Sequence, residues 1–215
     1  MSVLFVAEIG SGHNRDGALM FELIRQASIA GADIAKFQFG WDWSDRTRYV
    51  DPWAADLRDW CDFFGIELMA SIWSLHGLET ARDVGMRRYK IAAQKADDRA
   101  LVAEVLADGK PTFISSTRWK GSNVLPLYCV SEYPTYPGLT MPRWFDDFYG
   151  YSDHAHGIAV CLTAIARGAK YIEKHLTLDK TQDATRDHRF SATPEEFSEM
   201  VRIGREMGAW VNAGL

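Results

Sequence analysis

The chain has 215 residues, of which 47% are apolar and 25% charged, with a net charge of −5. That length suits a single domain over 1–215, able to bury roughly 70% of its unfolded surface. The acidic balance argues against nucleic acid or an anionic membrane as the main partner, and no run approaches the roughly 20 apolar residues of a membrane span.

The N-terminal MSVLFVAEIG is apolar but lacks a basic flank, and Glu8 interrupts it. It therefore reads as a strand and not as a signal peptide. In chain order, strands are expected at 3–9, 34–39, 67–72 and 88–92. They alternate with helix-like stretches at 17–30, 51–64, 75–84 and 98–108. The second half continues with strands at 111–117, 124–131, 148–154 and 171–178, and helices at 139–146, 157–167 and 194–211. Gly31, Gly85, Gly109 and Gly168 each follow a helical stretch, where the left-handed conformation ends helices. Thr193-Pro194-Glu195-Glu196 reads as a capping box that opens the last helix.

Alternation of this kind implies a parallel sheet covered by helices, and eight strands imply a TIM-type (β/α)8 barrel. A doubly wound sheet is the alternative. The barrel is short, because only Arg118–Asn123 separate strands five and six, and a parallel crossover usually carries a helix. Six extended residues reach about 20 Å. A bare crossover is therefore expected there, with the helix after strand five missing. The barrel would be open or distorted at that seam, covered by Trp119 or a second subunit.

Strands buried on both faces should be almost wholly apolar. Here Glu8, Lys36, Gln38, Lys90, Ser115, Ser116, Ser152, Asp153, His154, Glu173, Lys174 and His175 fall within strands, mostly toward their C-terminal ends. Barrel active sites are built at that end. One buried charge is usually a paired ion, but six strands carrying such groups would desolvate many charges for no gain. Lys36 and Lys90 each stand five residues after a helix-ending glycine, and could hold a phosphate as point charges with serine hydroxyls around it. His154 and His175, from adjacent strands, could ligate a divalent metal. Cys61, Cys129 and Cys161 form no CxxC pair and read as the buried, reduced thiols of a cytoplasmic protein.

Seven segments occur in a telling order: AEIGSGHNRD, AGADIAKFQF, RYKIA, YCVSEYPTYPG, GYSDHAHG, YIEKHLTLD and RDHRFSATPEEF. Together, from about residue 3 to residue 205, they resemble the signature segments of the N-acetylneuraminate (sialic acid) synthase family. The resemblance implies condensation of phosphoenolpyruvate with an N-acetylmannosamine-like aldose, assisted by manganese or magnesium, in a cytoplasmic homodimer. It implies that Lys36 and Lys90 hold phosphoenolpyruvate with Ser115 or Ser116 and with Ser152, and that His154 and His175 bind the metal. Glu8 would face the reacting carbons or the attacking water. Asp187 would hold acceptor hydroxyls, Tyr133 and Gln38 would border the substrates, and His13 would lie near the site. His76 reads as surface, and His156 and His188 are open between site and loop.

The sequence departs from the family in three places. Where the family reads close to KIASGE, this chain has Lys90-Ile91-Ala92-Ala93-Gln94-Lys95. Ala93 thus replaces a phosphate-contacting serine, and Lys95 replaces an acidic residue. Lys95 could instead bind an anionic group of the acceptor. The family's C-terminal antifreeze-like domain, which supplies an arginine, has no counterpart before Leu215. Arg46 and Arg48, with Trp41 and Trp43, are candidates to grip the acceptor in its place. The third departure is the truncated crossover. Besides an active synthase, two readings follow: a non-catalytic relative that binds phosphoenolpyruvate or another small anion, and a barrel lyase or phosphatase.

Overall fold

The computed structural model describes residues 2–42, 44, 49–136 and 141–214. Eight strands, β1 (Leu4–Glu8), β2 (Ile34–Phe39), β3 (Glu67–Ile72), β4 (Tyr89–Ile91), β5 (Thr112–Ile114), β6 (Val124–Cys129), β7 (Gly150–Asp153) and β8 (Tyr171–His175), close into a barrel in sequence order. Every pair is parallel, including β8 on β1. The helices outside it are α1 (Gly17–Ile29), α2 (Ala54–Phe64), α3 (Leu75–Asp83), α4 (Arg99–Ala107), α5 (Ala159–Ala166) and α6 (Pro194–Asn212). The expected TIM-type barrel is therefore present, and the doubly wound alternative is excluded. Among the described residues no helix is long and apolar enough to cross a membrane.

The helix ends follow the local chemistry. The Asp16 carboxylate accepts the N–H groups of Ala18 and Leu19 at the start of α1, and Thr193 with Glu196 forms the expected reciprocal capping box of α6. Gly31, Gly85, Gly109 and Gly168 all have positive φ, between 69° and 95°. At each, the chain leaves a helix for a strand through a conformation that costs glycine least.

The seam after β5 is closed, contrary to expectation. Thr112 pairs with Val124, Phe113 with Leu125 and Ile114 with Pro126. The bare crossover works because Asn123 ties it down, its side-chain amide donating to the carbonyls of Leu106 and Lys110. Trp119 packs on the core and donates its indole N–H to Ala96 O at 2.8 Å. The helix expected at 139–146 is the clearer error, since 141–146 are not helical. Pro142 cannot donate within a helix. Instead Phe145 N–H donates to Arg167 O, and the Arg167 guanidinium donates to Pro142 O. Phe145 and Phe148 then pack edge-on against Tyr128, covering the outer face of β6 where a helix would lie.

The barrel interior is layered. Val6, Ile34, Met69, Phe113, Leu127 and Tyr171 form a separate apolar cluster. Side chains on one face of a strand recur every second residue. Two residues further along the same strands stand Glu8, Lys36, Ser71, Ser115, Cys129 and Glu173, all of which line one cavity. Each apolar plug residue thus has a polar residue directly above it, toward the C-terminal rim.

Candidate active site

The cavity at that rim has a volume of about 290 Å³ and is walled mainly by polar groups. Its floor is four charges. Lys36 touches Glu8, donates to Ser71 Oγ at 2.9 Å and lies 3.5 Å from Glu173 Oε1. Lys90 donates to Ser115 Oγ at 2.9 Å and lies 3.8 Å from the same Glu173 oxygen. Ser152 Oγ and the Tyr171 hydroxyl donate to Glu173, which is the hub of the network. Register explains the convergence: Glu8 sits beside Lys36 on one side and His175 on the other, Ser71 beside Lys90, and Ser152 beside Glu173.

The four charges divide into unequal pairs. Burial pushes Glu8 up to about 7, against the pull of Lys36. Burial also opposes the charge on Glu173, but Lys36 and Lys90 outweigh it and hold that carboxyl well below the usual carboxylate range. Burial works against the Lys36 ammonium too, and Glu173 and Glu8 overcome it, so Lys36 is raised. Lys90 is lowered, first by burial and then by Lys36, with Glu173 opposing. Glu8 is therefore the floor's one carboxylate poised to exchange a proton near neutral pH.

His154 and His175 face each other across the β7–β8 edge, ring centroids 5.5 Å apart. Burial lowers both to about 3, helped by their mutual proximity for His154 and by Lys36 for His175. Both are therefore neutral imidazoles, the form that ligates metals. His154 Nδ1 lies 3.1 Å from Val130 O, and donating its proton there leaves Nε2 as the lone-pair nitrogen. This donor set fits a divalent cation. Among the described residues it is not joined into a larger cluster of histidine, cysteine or carboxylate ligands, so other ligands would come from outside the two rings.

Behind the cavity, Lys174 and Asp153 form an ion pair at 2.7 Å with no exposure, to which Tyr151 and Cys161 donate. These two residues point to α5 and not into the site. They fix the β7–β8 register that brings the two histidines together.

The mouth carries the remaining expected groups. Gln38, Tyr133 and Asp187 all line it. Tyr133 packs on His154 with centroids 4.2 Å apart, and the Arg186 guanidinium lies 4.6 Å over the Tyr133 ring. Of the paired serines, Ser115 lines the cavity. Ser116 does not, because its hydroxyl accepts the Arg118 N–H in the following loop. Lys95 also stays out of the wall, whereas Ala92, Ala93 and Gln94 are in it. Ala93–Lys95 form a 3-10 turn, in which each residue rotates by about 120°, so Lys95 leaves the face of Ala93. Trp41 lines the mouth, while Trp43, Arg46 and Arg48 lie outside the described residues. His13 is buried beside Phe37 and does not line the cavity. His188 is buried in a bond with Thr177, and His76 and His156 are exposed.

Ser71, Trp73, Cys129 and Arg186 line the site unforeseen, and Glu173 has a larger part than its place among the strand polar groups suggested. Cys129 is free but only half-buried, in the cavity wall and not in the core. Ser71 and Cys129 carry one usable signal: each stands two residues after a large apolar residue in its strand, as Glu8 and Lys36 do.

Buried neutral histidines also bear on stability. His13 is lowered to about 4 by burial, and His154 and His175 to about 3. A folded value below the unfolded value near 6.5 means that acid favours the unfolded chain. Their contribution is complete above pH 6.5 and is lost as pH falls from 6.5 toward 4. Each histidine is worth up to about 1.4 kcal/mol per pH unit in that window. Glu8, raised to about 7, works in the opposite sense and cancels about one histidine's share between pH 7 and pH 4.5. Urea unfolding in the presence of chelator should therefore show stability falling from pH 7 to pH 5 with the net slope of the remaining histidines, and His13→Asn should reduce that slope by about one proton.

The model of the NeuB family matches residues 41–124 and 117–214 of this chain. A Methanocaldococcus jannaschii protein is 31% identical, over 97% of this chain and 72% of its own length. The N-acetylneuraminate-9-phosphate synthase of Homo sapiens is 26% identical, over 93% of this chain and 68% of its own. The N,N'-diacetyllegionaminic acid synthase of Legionella pneumophila is 27% identical, over 100% of this chain and 74% of its own. Among solved structures, the Bacillus subtilis spore coat polysaccharide biosynthesis protein SpsE superposes with a TM-score of 0.86 at 25% identity, covering 99% of this chain and 70% of that one. The sialic acid synthetase of Leptospira borgpetersenii, solved with citrate, has a TM-score of 0.85 over 100% of this chain and 87% of that one. At 24% identity it supports the fold alone.

Proposed function

The chain belongs to the NeuB family, and from that premise we propose that it condenses phosphoenolpyruvate with an aldose of the N-acetylmannosamine type. The products are a nonulosonic-acid-type 2-keto acid and inorganic phosphate. The observation that carries this reading is the floor itself: two buried ammonium groups, each bonded to a serine hydroxyl, beside a carboxyl near 7 and two neutral imidazoles.

Phosphoenolpyruvate carries a phosphate and a carboxylate, and each needs a cation in a buried site. Lys36 with Ser71 and Lys90 with Ser115 supply two such positions, and Ser152 donates to the Glu173 carboxylate beside both lysines. The enol carbon then attacks the aldehyde carbon, forming the new C–C bond as the aldehyde C=O π bond opens to an alkoxide, and leaving an oxocarbenium centre. Water adds to that centre and gives up one proton; the tetrahedral adduct then collapses to the ketone as its C–O bond to phosphate breaks, and the hydroxyl proton it loses goes to the new alkoxide, which becomes a hydroxyl. Glu8 stabilises the developing cation and accepts the water's proton. Gln38 and Asp187 hold acceptor hydroxyls at the mouth, and Tyr133 closes the wall beside His154. A manganese or magnesium ion held by His154 and His175 would supply Lewis acidity at the acceptor carbonyl oxygen.

Incubation with manganese or magnesium, phosphoenolpyruvate and a panel of aldoses should release phosphate only when an aldehyde is present. No release with any aldose would overturn the synthase reading, and release without an aldehyde would favour a phosphatase. One observation favours a second reading, a non-catalytic protein that binds phosphoenolpyruvate or another small anion: Ala93 puts a methyl group in the wall, and Lys95 leaves it. That reading predicts binding by calorimetry without turnover.

His175→Ala should keep phosphoenolpyruvate binding and lose metal-dependent turnover. Loss of an outer partner of a metal ligand costs 10–100-fold in affinity, so loss of the ligand itself should weaken manganese binding by at least about a hundredfold. Titration of manganese into the folded variant checks this, and wild-type affinity would remove His175 from the ligand set.

A further inference from the structure

We propose that Trp41 is a positioning residue that acts through Gln38 to fix how Glu8 presents its carboxylate, an inference that rests on the synthase reading above. The Trp41 indole N–H donates to Gln38 Oε1 at 2.7 Å, and Gln38 Nε2 donates to Glu8 Oε1 at 3.1 Å. The other Glu8 oxygen faces Lys36. An indole nitrogen can only donate, and an ionised carboxylate can only accept. The amide between them therefore has one satisfactory orientation, oxygen toward Trp41 and NH2 toward Glu8. Flipping it would set N–H against N–H, and carbonyl oxygen against carboxylate. One indole thus decides the amide's direction, and the amide gives Glu8 Oε1 its donor in a buried site where an unpaired oxygen is costly.

Trp41 is itself held in place. It packs on Trp73, just after β3, with ring centroids 4.0 Å apart and the planes tilted by 32°. The turn that delivers it is built for glycine. Gly40 has φ +86°, a Cβ there would sit 2.3 Å from Ser74 Oγ, and its N–H donates to both oxygens of Asp51. The mouth of the cavity is therefore wired to the carboxylate on its floor.

Trp41→Phe keeps an aromatic ring against Trp73 but removes the N–H together with part of the indole, so the kcat-against-KM split and the double variant, not the loss alone, separate the hydrogen bond from packing. Phosphate release should show kcat lowered about tenfold, with KM for phosphoenolpyruvate within about twofold of wild type, since misplacing an acid–base group costs this much or more. Gln38→Leu should lose at least as much, and the double variant Trp41→Phe/Gln38→Leu should lose no more than Gln38→Leu alone, because the two act in series. Wild-type kcat in Trp41→Phe, a change confined to the acceptor's KM, or losses that multiply in the double variant would each overturn the proposal. A second measurement answers even if no aldose is turned over. In isotope-labelled protein, the Gln38 side-chain amide protons should exchange with solvent at least about tenfold faster in Trp41→Phe than in wild type, because an amide no longer anchored at Oε1 by the indole turns and breaks its Nε2 bond to Glu8. Unchanged exchange would sink the positioning role, whatever the reaction is.

Discussion

Lys36→Ala should abolish phosphoenolpyruvate binding, weakening it by at least about a hundredfold, because one truncated partner of a buried charged contact costs 2–5 kcal/mol or more. Lys36 is 2% exposed and serves Glu8, Glu173 and Ser71 at once. Its removal leaves two carboxyl groups in the floor with only Lys90 opposite them. Breaking a buried pair from one side costs about 3–5 kcal/mol of fold stability, so the single variant will also unfold more easily. The two effects can be separated. Lys36→Met/Glu8→Gln removes one charge of each sign at nearly constant volume, and neutralising both partners is far less costly than orphaning one. Urea melts should show the double variant more stable than Lys36→Ala, while calorimetry shows neither binding phosphoenolpyruvate. Tight binding by the folded double variant would remove Lys36 from the anion site.

How much of this site was legible in the chain depends on the element that carries each residue. Strand residues were readable because their geometry is rigid: with a period of two, a charge inside an apolar run faces either the barrel interior or the helices. Glu8, Lys36, Lys90, His154 and His175, expected in the site from their place at the strand ends, all line the cavity. Lys174 and Asp153 were grouped with them on the same ground, but alternation turns them to the other face, where they are each other's partners. Loop residues resisted. The 3-10 turn at Ala93–Lys95 rotates Lys95 away although it is two residues from the wall, and Ser116 turns to the Arg118 N–H in the loop while Ser115, two residues after Phe113, keeps the inward face. The helix expected at 139–146 failed for a tertiary reason, because Phe145 and Phe148 cover β6 better as separate aromatics than Pro142 would allow in a helix. Ser71 escaped because a serine in a buried strand is ordinary, and its meaning comes from the Lys36 ammonium it meets.

Glu8→Gln should do the reverse of Lys36→Ala, keeping the substrate and losing the reaction. The wild-type floor balances two ammoniums against two carboxylates, so a bound polyanion must compete with Glu8 for Lys36. The glutamine removes that competitor without changing shape and leaves Glu173 as the one counter-charge to both lysines. Phosphoenolpyruvate should therefore bind at least as tightly as to wild type, while kcat falls by about 10²–10⁴-fold, the range for loss of a positioned acid–base group. The pH profile adds an independent check. Burial has raised Glu8 to about 7, and its proposed work requires the ionised form, so wild-type kcat should rise with pH through that region. A cation on His154 and His175 would stabilise the carboxylate and move the rise to lower pH. The residual activity of Glu8→Gln should lack this limb, because nothing remains at that position to titrate. A variant that turns over within about tenfold of wild type, or that retains the limb, would show that another group moves the proton. Glu8 would then be left only its structural bond to Lys36.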